Sequence, residues 1–220
     1  MPAPSTESRQ HLSGQPDAEL LQAVLDRTGI TSWDILVVGD GSGSTWERAC
    51  GWASVLVDRE TRGRRAFYGA MNIGSVNFAE SMPYLQALNW YDANVGKAKL
   101  KQQDHINVHI ITDSQVVAQW GVSAQTQPHP PRKHLCVWAG MRAYYELGYR
   151  CTWHWAPRMT TQLNWLADCI AGLSRRGLEA YDQEAHDLRQ RAITGLAQTR
   201  FVVPGTDVPL DPYVWNEDAS

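Results

Sequence analysis

Apolar residues recur along this chain with two different periods, and the change from one to the other marks out its elements. Ile35-Leu36-Val37-Val38 is an uninterrupted apolar run closed by Gly39-Asp40-Gly41-Ser42-Gly43. A short run bounded by turn formers reads as a strand buried on both faces, so a first strand is expected over about residues 33–40. Gly51-Trp52-Ala53-Ser54-Val55-Leu56-Val57 predicts a second strand, Asp58 to Gly63 a polar turn, and Arg64 to Gly69 a third strand. Their short connections predict an antiparallel meander.

Beyond the meander the period lengthens. From Asn77 to Tyr91, the residues Phe78, Met82, Leu85, Leu88 and Trp90, with Ala79 and Ala87 between them, return at helical spacing. Pro83 interrupts this segment, and a helix tolerates proline chiefly in its first turn, so the helix is expected to begin close to it. Asn94 to Asp104 reads as a polar link. Val108-His109-Ile110-Ile111-Thr112 is a second apolar strand, after which Asp113-Ser114-Gln115 opens a short helix to Trp120. A Pro-rich loop, Gln125 to Lys133, carries His129, Arg132 and Lys133. There follow a helix from about His134 to Leu147 stopped by Gly148, a last strand from Arg150 to Trp155, and a closing helix from about Thr160 to Arg175.

Three strands, helix, strand, helices, strand, helix is the order of an α/β fold, a mixed sheet with helices covering its faces. An amphipathic helix from Asp17 to Arg27, with Leu20, Leu21, Val24 and Leu25 on one side and Gly29 as its stop, is expected to pack on this core. The expected division is 1–30 as a disordered tail and short helix, 31–176 as the main domain, and 177–220 as a further helix (Ala180 to Leu196) and an extended tail.

At 220 residues a single core with extensions fits better than two full domains. A net charge of −3 supplies no global cationic field for a polyanion, which leaves a local basic rim or metal ions to hold one. Lys97, Lys99, Lys101, Arg132 and Lys133 are the candidates for the rim, with Trp90 or Trp120 packed against sugars. Cys50, Cys136, Cys151 and Cys169 fall in no zinc spacing and suggest no disulfide framework, so they read as reduced, mostly buried thiols. No run approaches the roughly 18 apolar residues of a membrane span, and the first residues lack a secretory apolar stretch. A soluble, cytoplasmic protein with no membrane partner is the expectation.

The candidate chemistry lies in four acids. Asp40 and Asp113 each end an apolar run, at strand ends where α/β sheets collect ligands. Glu80 falls near the first turn of the helix after the meander. Asp168 borders the apolar stripe Leu163, Leu166, Ala167 and Ile170 of the closing helix, with Asn164 one turn before it on nearly the same side. Ordinary readings exist too: Asp40 as a turn residue, Asp113 as a helix cap, Glu80 as the far end of a loose capping box begun by Asn77. Asp168 is harder to place so, because Asp is a mediocre helix-interior residue. Brought together, four carboxylates repel and raise one another's pKa values. Divalent cations relieve this, and hard oxygen donors without Cys or neighbouring His suit Mg²⁺ or Mn²⁺ rather than zinc. Two such ions about 3.5–4 Å apart activate a water and stabilise the leaving oxygen of a phosphodiester.

Gly39-Asp40-Gly41-Ser42 with Gly51-Trp52-Ala53, then Asn77-Phe78-Ala79-Glu80, Thr112-Asp113-Ser114-Gln115 and Asn164-Trp165-Leu166-Ala167-Asp168 resemble, in order, the four signatures of the type 1 ribonuclease H family. The resemblance runs from about Trp33 to Arg176. It implies a five-stranded mixed sheet, a three-strand antiparallel meander plus two parallel strands, and cleavage of the RNA strand of RNA–DNA hybrids. By the same resemblance Asp40, Glu80, Asp113 and Asp168 are the catalytic ligands of two Mg²⁺ or Mn²⁺ ions, with Asp40 bridging them. Asn77, Gln115 and Asn164 match positions that contact nucleic acid, where amides read minor-groove edges and 2′-hydroxyls, and Ser75 is placed to meet a phosphate. A monomer is expected, with the termini available to a replication-protein partner.

One feature departs from the family pattern. Many members carry a histidine in the loop before the last helix, whereas this loop is Ala156-Pro157-Arg158-Met159-Thr160. Arg158 as a phosphate ligand, or His154 reaching inward from the preceding strand, are the two candidates to replace it. Two rival readings keep the fold and change the function: a resolvase- or transposase-like DNA nuclease, and a non-catalytic nucleic-acid-binding or partner-docking module. Integrase-type relatives usually end their acid set in Glu, where this chain has Asp168, and DEDD exonucleases open with Asp-x-Glu, where it has Asp40-Gly41-Ser42. Both observations favour ribonuclease H, and retention of all four acids argues against a silent module.

Overall fold

A computed structural model describes residues 17–43, 48–61, 64–129, 131–158, 162–180 and 213–214. Within them lie helix α1 (Asp17–Thr28), strands β1 (Ile35–Ser42), β2 (Arg48–Asp58) and β3 (Arg64–Gly74), helix α2 (Val76–Tyr91), strand β4 (Ile106–Thr112), helices α3 (Gln115–Thr126) and α4 (Leu135–Leu147), strand β5 (Tyr149–Trp155), helix α5 (Gln162–Ala180) and a two-residue strand β6 (Tyr213–Val214). The sheet order is β5-β4-β1-β2-β3-β6. β1, β2 and β3 form the antiparallel meander, and β4 and β5 join β1 in parallel. This is the expected five-stranded mixed sheet, and β6 adds a short parallel pairing outside β3. The remainder of the two terminal extensions, including all but the first residue of the helix expected over Ala180 to Leu196, lies outside the described residues, and α5 runs past its expected end at Arg175 to Ala180.

The central position of β1 follows from its sequence, because a run apolar at every residue must be covered on both faces. Ile35 and Val37 face a core built with Tyr84 and Leu88 of α2 and Val137, Trp138 and Met141 of α4. Leu36 and Val38 face the other side, against Val24 of α1 and Leu163 of α5. The N-terminal helix therefore packs on the same domain, as its amphipathic pattern predicts.

Several boundaries depart from expectation. α2 begins at Val76, well before Pro83, which lies buried inside it. The Ser54 hydroxyl donates to the Pro83 carbonyl at 3.1 Å, so β2 helps hold the helix where proline cannot donate. The supposed polar link is largely helical: a π turn over Asp92–Gly96 and a final turn over Lys97–Lys99 extend α2. α3 continues past Trp120 to Thr126. Glycine ends α1 and α4 as expected, Gly29 with φ 66° and Gly148 with φ 107°. The cysteines are free, with Cys50 and Cys151 buried and Cys136 exposed.

Candidate active site

The acids meet because β1 and β4 are adjacent and parallel, which brings their C-terminal ends side by side. Two glycines then let α2 lie directly over the end of β1. A Cβ on Gly39 would press on Pro83 and Tyr84 of α2, and one on Gly41 would collide with the backbone of Ala79 and Glu80. The Glu80 side chain is thereby delivered to the strand end. Ligand oxygens of Asp40, Glu80 and Asp113 all lie within 4.8 Å of one another. Among the described residues this is the one group of three or more metal-ligating side chains of that compactness.

The fourth acid comes from α5. Leu163, Ala167, Ile170 and Ala171 are its buried stripe, and Asp168 stands at the border. Gly51 on β2 allows this approach, since a Cβ there would strike the Ala171 carbonyl. The Arg175 guanidinium also donates to the Ser42 hydroxyl at 3.1 Å, linking α5 to the end of β1. Asp168 lies outside the tight trio but close enough to act on the charge of Asp40 and Asp113. Arg158 donates to Asp168 and lies 3.9 Å from Asp113.

Electrostatics match this crowding. Asp40 is 4% exposed, and burial raises its pKa well above the ordinary carboxylate value, with Asp113 and Asp168 adding to the rise. Arg158 and the Gly41 N–H, which donates to Asp40 at 2.7 Å, work in the opposite sense. Burial likewise raises Glu80, against a hydrogen bond from Ser114, and raises Asp113, against Arg158. Three half-buried or buried carboxylates sharing one pocket are short of positive charge, and all their donor atoms are hard oxygens. The set fits Mg²⁺ or Mn²⁺.

The surroundings hold the acids in place. Tyr84 is fully buried and donates to the Gly39 carbonyl at 2.9 Å. Trp155, at the end of β5 and 47% exposed, donates its indole N–H to the Asp113 carbonyl at 2.9 Å. Composition pointed to neither residue; only the alternation along β5, which puts Trp153 into the core, hints that Trp155 continues past it. Capping differs from the sequence reading. Ser75, not Asn77, is the N-cap of α2, accepting from the Phe78 N–H at 3.2 Å. Ser114, not Asp113, caps α3, accepting from the Val117 N–H at 3.4 Å. Glu80 and Asp113 are therefore released from the capping roles that would have explained them away.

The expected substrate contacts separate into groups. Ser75, Asn77 and Gln115 sit at the starts of α2 and α3, the first two in the turn before Glu80 and the third two residues after Asp113. Asn164 lies on α5 one turn before Asp168 but is only 5% exposed. Ser75 Oγ also lies 3.3 Å from Nε2 of His134, whose ring packs edge-on to Phe78 and Trp120. Trp120 is thus a neighbour of this face, whereas Trp90 packs under Arg65 and beside Phe67 on β3. Lys99 does not join the rim: it is paired with Asp34 and Glu60, and Asp34 precedes β1 while Asp40 lies toward its far end. Arg132 and Lys133 are exposed in the loop before α4. His154 does not turn toward the acids, because its Nε2 lies 2.8 Å from Nδ1 of His109 with the two rings stacked.

No known family's sequence profile and no curated protein sequence matches the chain. Solved structures do. The N-terminal RNase H domain of Rv2228c from Mycobacterium tuberculosis aligns over 71% of this chain and 99% of its own at 16% identity, with a TM-score of 0.51. LC11-RNase H1, isolated from compost by a metagenomic approach, aligns over 67% of this chain and 99% of its own, again at 16% identity and TM-score 0.51. The same enzyme in complex with an RNA/DNA hybrid aligns over 66% and 98%, at 13% identity and TM-score 0.50. With the strand order, α2 lying over the end of β1 and the acids at adjacent strand ends, these likenesses establish that the chain has the ribonuclease H fold.

Proposed function

We propose that this protein is a Mg²⁺- or Mn²⁺-dependent endoribonuclease that hydrolyses the RNA strand of RNA–DNA hybrids. The observation that carries the reading is the convergence of Asp40, Glu80 and Asp113, from three different elements of a ribonuclease H fold, to within 4.8 Å. Asp168 stands alongside on α5. Divalent cations held by these carboxylates would supply Lewis-acid stabilisation of the phosphodiester and an activated water. The protein's own part is to gather the ligands, keep Asp40 and Asp113 fixed through Gly41, Tyr84 and Trp155, and orient the nucleic acid across the mouth of the pocket.

Asn77 and Gln115 present amides at two adjacent helix starts, suited to minor-groove edges and 2′-hydroxyls of an A-like duplex. Ser75 meets a phosphate from the same side, and Asn164, one turn before Asp168 and 5% exposed, offers the duplex little of its amide. Arg158 and the exposed Arg132 and Lys133 supply local positive charge that the chain as a whole lacks, so binding weakens steeply with salt. That a structural neighbour is known in complex with an RNA/DNA hybrid supports the choice of substrate.

The test is a matched panel of hybrid, duplex DNA, duplex RNA and single strands with Mg²⁺ or Mn²⁺, using wild type, Asp40→Asn and Asp113→Asn. Cleavage confined to the RNA of the hybrid, and lost in both variants, is expected. Equal cutting of duplex DNA would transfer the assignment to a DNA nuclease on the same fold, and hybrid cutting that persists in both variants would end it.

A further inference from the structure

The four acids are not equally supplied with positive charge. The ion pairs of Arg158 go to Asp168 and Asp113, while Asp40 and Glu80 feel its charge at longer range. Two regions of one cup result: a compact trio of oxygens from Asp40, Glu80 and Asp113, and a side toward Asp168 where a guanidinium already sits. Arg158 reaches there from the coil just after β5, held close by the Ala156 N–H donating to the Thr112 carbonyl at 2.9 Å. Its side chain is 59% exposed, so it leaves Asp168 without disturbing the core.

We propose that Arg158 is a built-in competitor for the second divalent cation, which makes metal loading sequential. This rests on the metal-centre reading given above. The first ion occupies the trio with the guanidinium still on Asp168. A second ion gains Asp168 only when the guanidinium withdraws, because two cations cannot share that carboxylate and the Asp113 edge without repulsion. The withdrawn guanidinium is planar and forked, suited to a phosphodiester oxygen pair. A backbone phosphate that takes Arg158 therefore favours entry of the second ion, and by reciprocity the second ion favours phosphate binding. Arg158 is thus a positioning residue, coupling substrate arrival to completion of the metal site.

The experiment measures Mn²⁺ binding to the full chain without nucleic acid, by calorimetry and by the loss of free-Mn²⁺ paramagnetic signal, for wild type, Arg158→Gln and Arg158→Lys. Circular dichroism establishes that each variant is folded. Wild type is expected to bind one ion and to take a second at least about tenfold more weakly. Arg158→Gln is expected to tighten only the second step, by about tenfold, as removal of a charged competitor predicts. Arg158→Lys, which keeps the charge, is expected to retain the wild-type separation. A second step identical in wild type and Arg158→Gln, or equal tightening of both steps, would overturn the proposal while leaving the metal centre standing. Absence of any Mn²⁺ binding in all three proteins would overturn the metal centre together with it.

Discussion

The hydroxyl of Tyr84, buried in the middle of α2, donates to the carbonyl of Gly39 at 2.9 Å. The same oxygen lies 3.4 Å from the carbonyl of Ile111, so one phenol ties Gly39 of β1 to Ile111 of the neighbouring strand β4. These carbonyls precede Asp40 and Asp113 by one and two residues. Tyr84→Phe leaves the ring packing unchanged and removes the donor. A cost of about 1–2 kcal/mol follows from leaving a buried carbonyl unpaired. The urea midpoint should fall with the slope unchanged, and hybrid cleavage should fall more than the stability loss alone explains.

Gly41→Ala should be far more damaging than its single methyl suggests. The new Cβ meets the backbone of Ala79 and Glu80, which cannot swing aside as a side-chain tip would. An overpacking cost of about 1–3 kcal/mol or more is expected, with Glu80 displaced and metal binding lost. Gly172→Ala is the control: its nearest neighbour would be the Ser42 hydroxyl at 3.9 Å, so alanine should be tolerated in α5 and stabilise it by about 0.5–1 kcal/mol.

Asp40→Asn separates stability from function. Burial raises the Asp40 pKa, so without a cation its charged form costs folding free energy near neutral pH. The isosteric amide removes that charge and still accepts from Gly41. The metal-free variant should melt at a higher temperature than wild type, by an amount on the order of 1 kcal/mol in stability, while cleavage is abolished. A lower melting temperature for the metal-free variant would contradict this account of the site.

Divalent ions should raise the melting temperature of wild type and leave Asp113→Asn nearly unmoved. A ligand present at about 100 times its dissociation constant stabilises the folded state by about 2.7 kcal/mol. Differential scanning calorimetry with Mg²⁺, and again after chelation, reads the effect directly.

Acid should weaken the fold through β4 and β5. Burial, with His109 beside it, pushes His154 down to about 4, and burial lowers His109 also. Both rings take up a proton less readily in the folded protein than in the unfolded chain, where protons bind near the ordinary histidine value of about 6.5. The contribution of His154 is therefore complete above about pH 6.5 and is lost as pH falls toward 4, and His109 acts in the same sense. Asp40, Glu80 and Asp113 act with the opposite sign, since their raised values make the folded state hold protons that the unfolded chain releases. Urea midpoints between pH 7.5 and 5, compared for wild type and the His109→Asn, His154→Gln double variant, should show a slope that the double variant flattens.

Much of this protein was legible in the order of its residues. The apolar run Ile35 to Val38, and Val108 to Ile111 interrupted by His109, read as strands from their length and the turn formers around them, although periodicity alone does not separate such a run from a helix, and an acid follows each of them. The helical period of Asn77 to Tyr91 and the border position of Asp168 were local facts of the same kind, because each is decided by neighbours three or four residues away. What the chain order left open was every relationship made across the sheet. Ser75 rather than Asn77 became the cap, and Pro83 stayed inside α2, because β2 and the glycines of β1 hold the helix from beneath. Lys99 went to Asp34, just before the start of β1, His154 to His109, and Arg158 into the acid cup itself. A charge or a polar ring is indifferent to periodicity and takes whichever partner packing brings within reach, so its place was decided only when the elements had assembled.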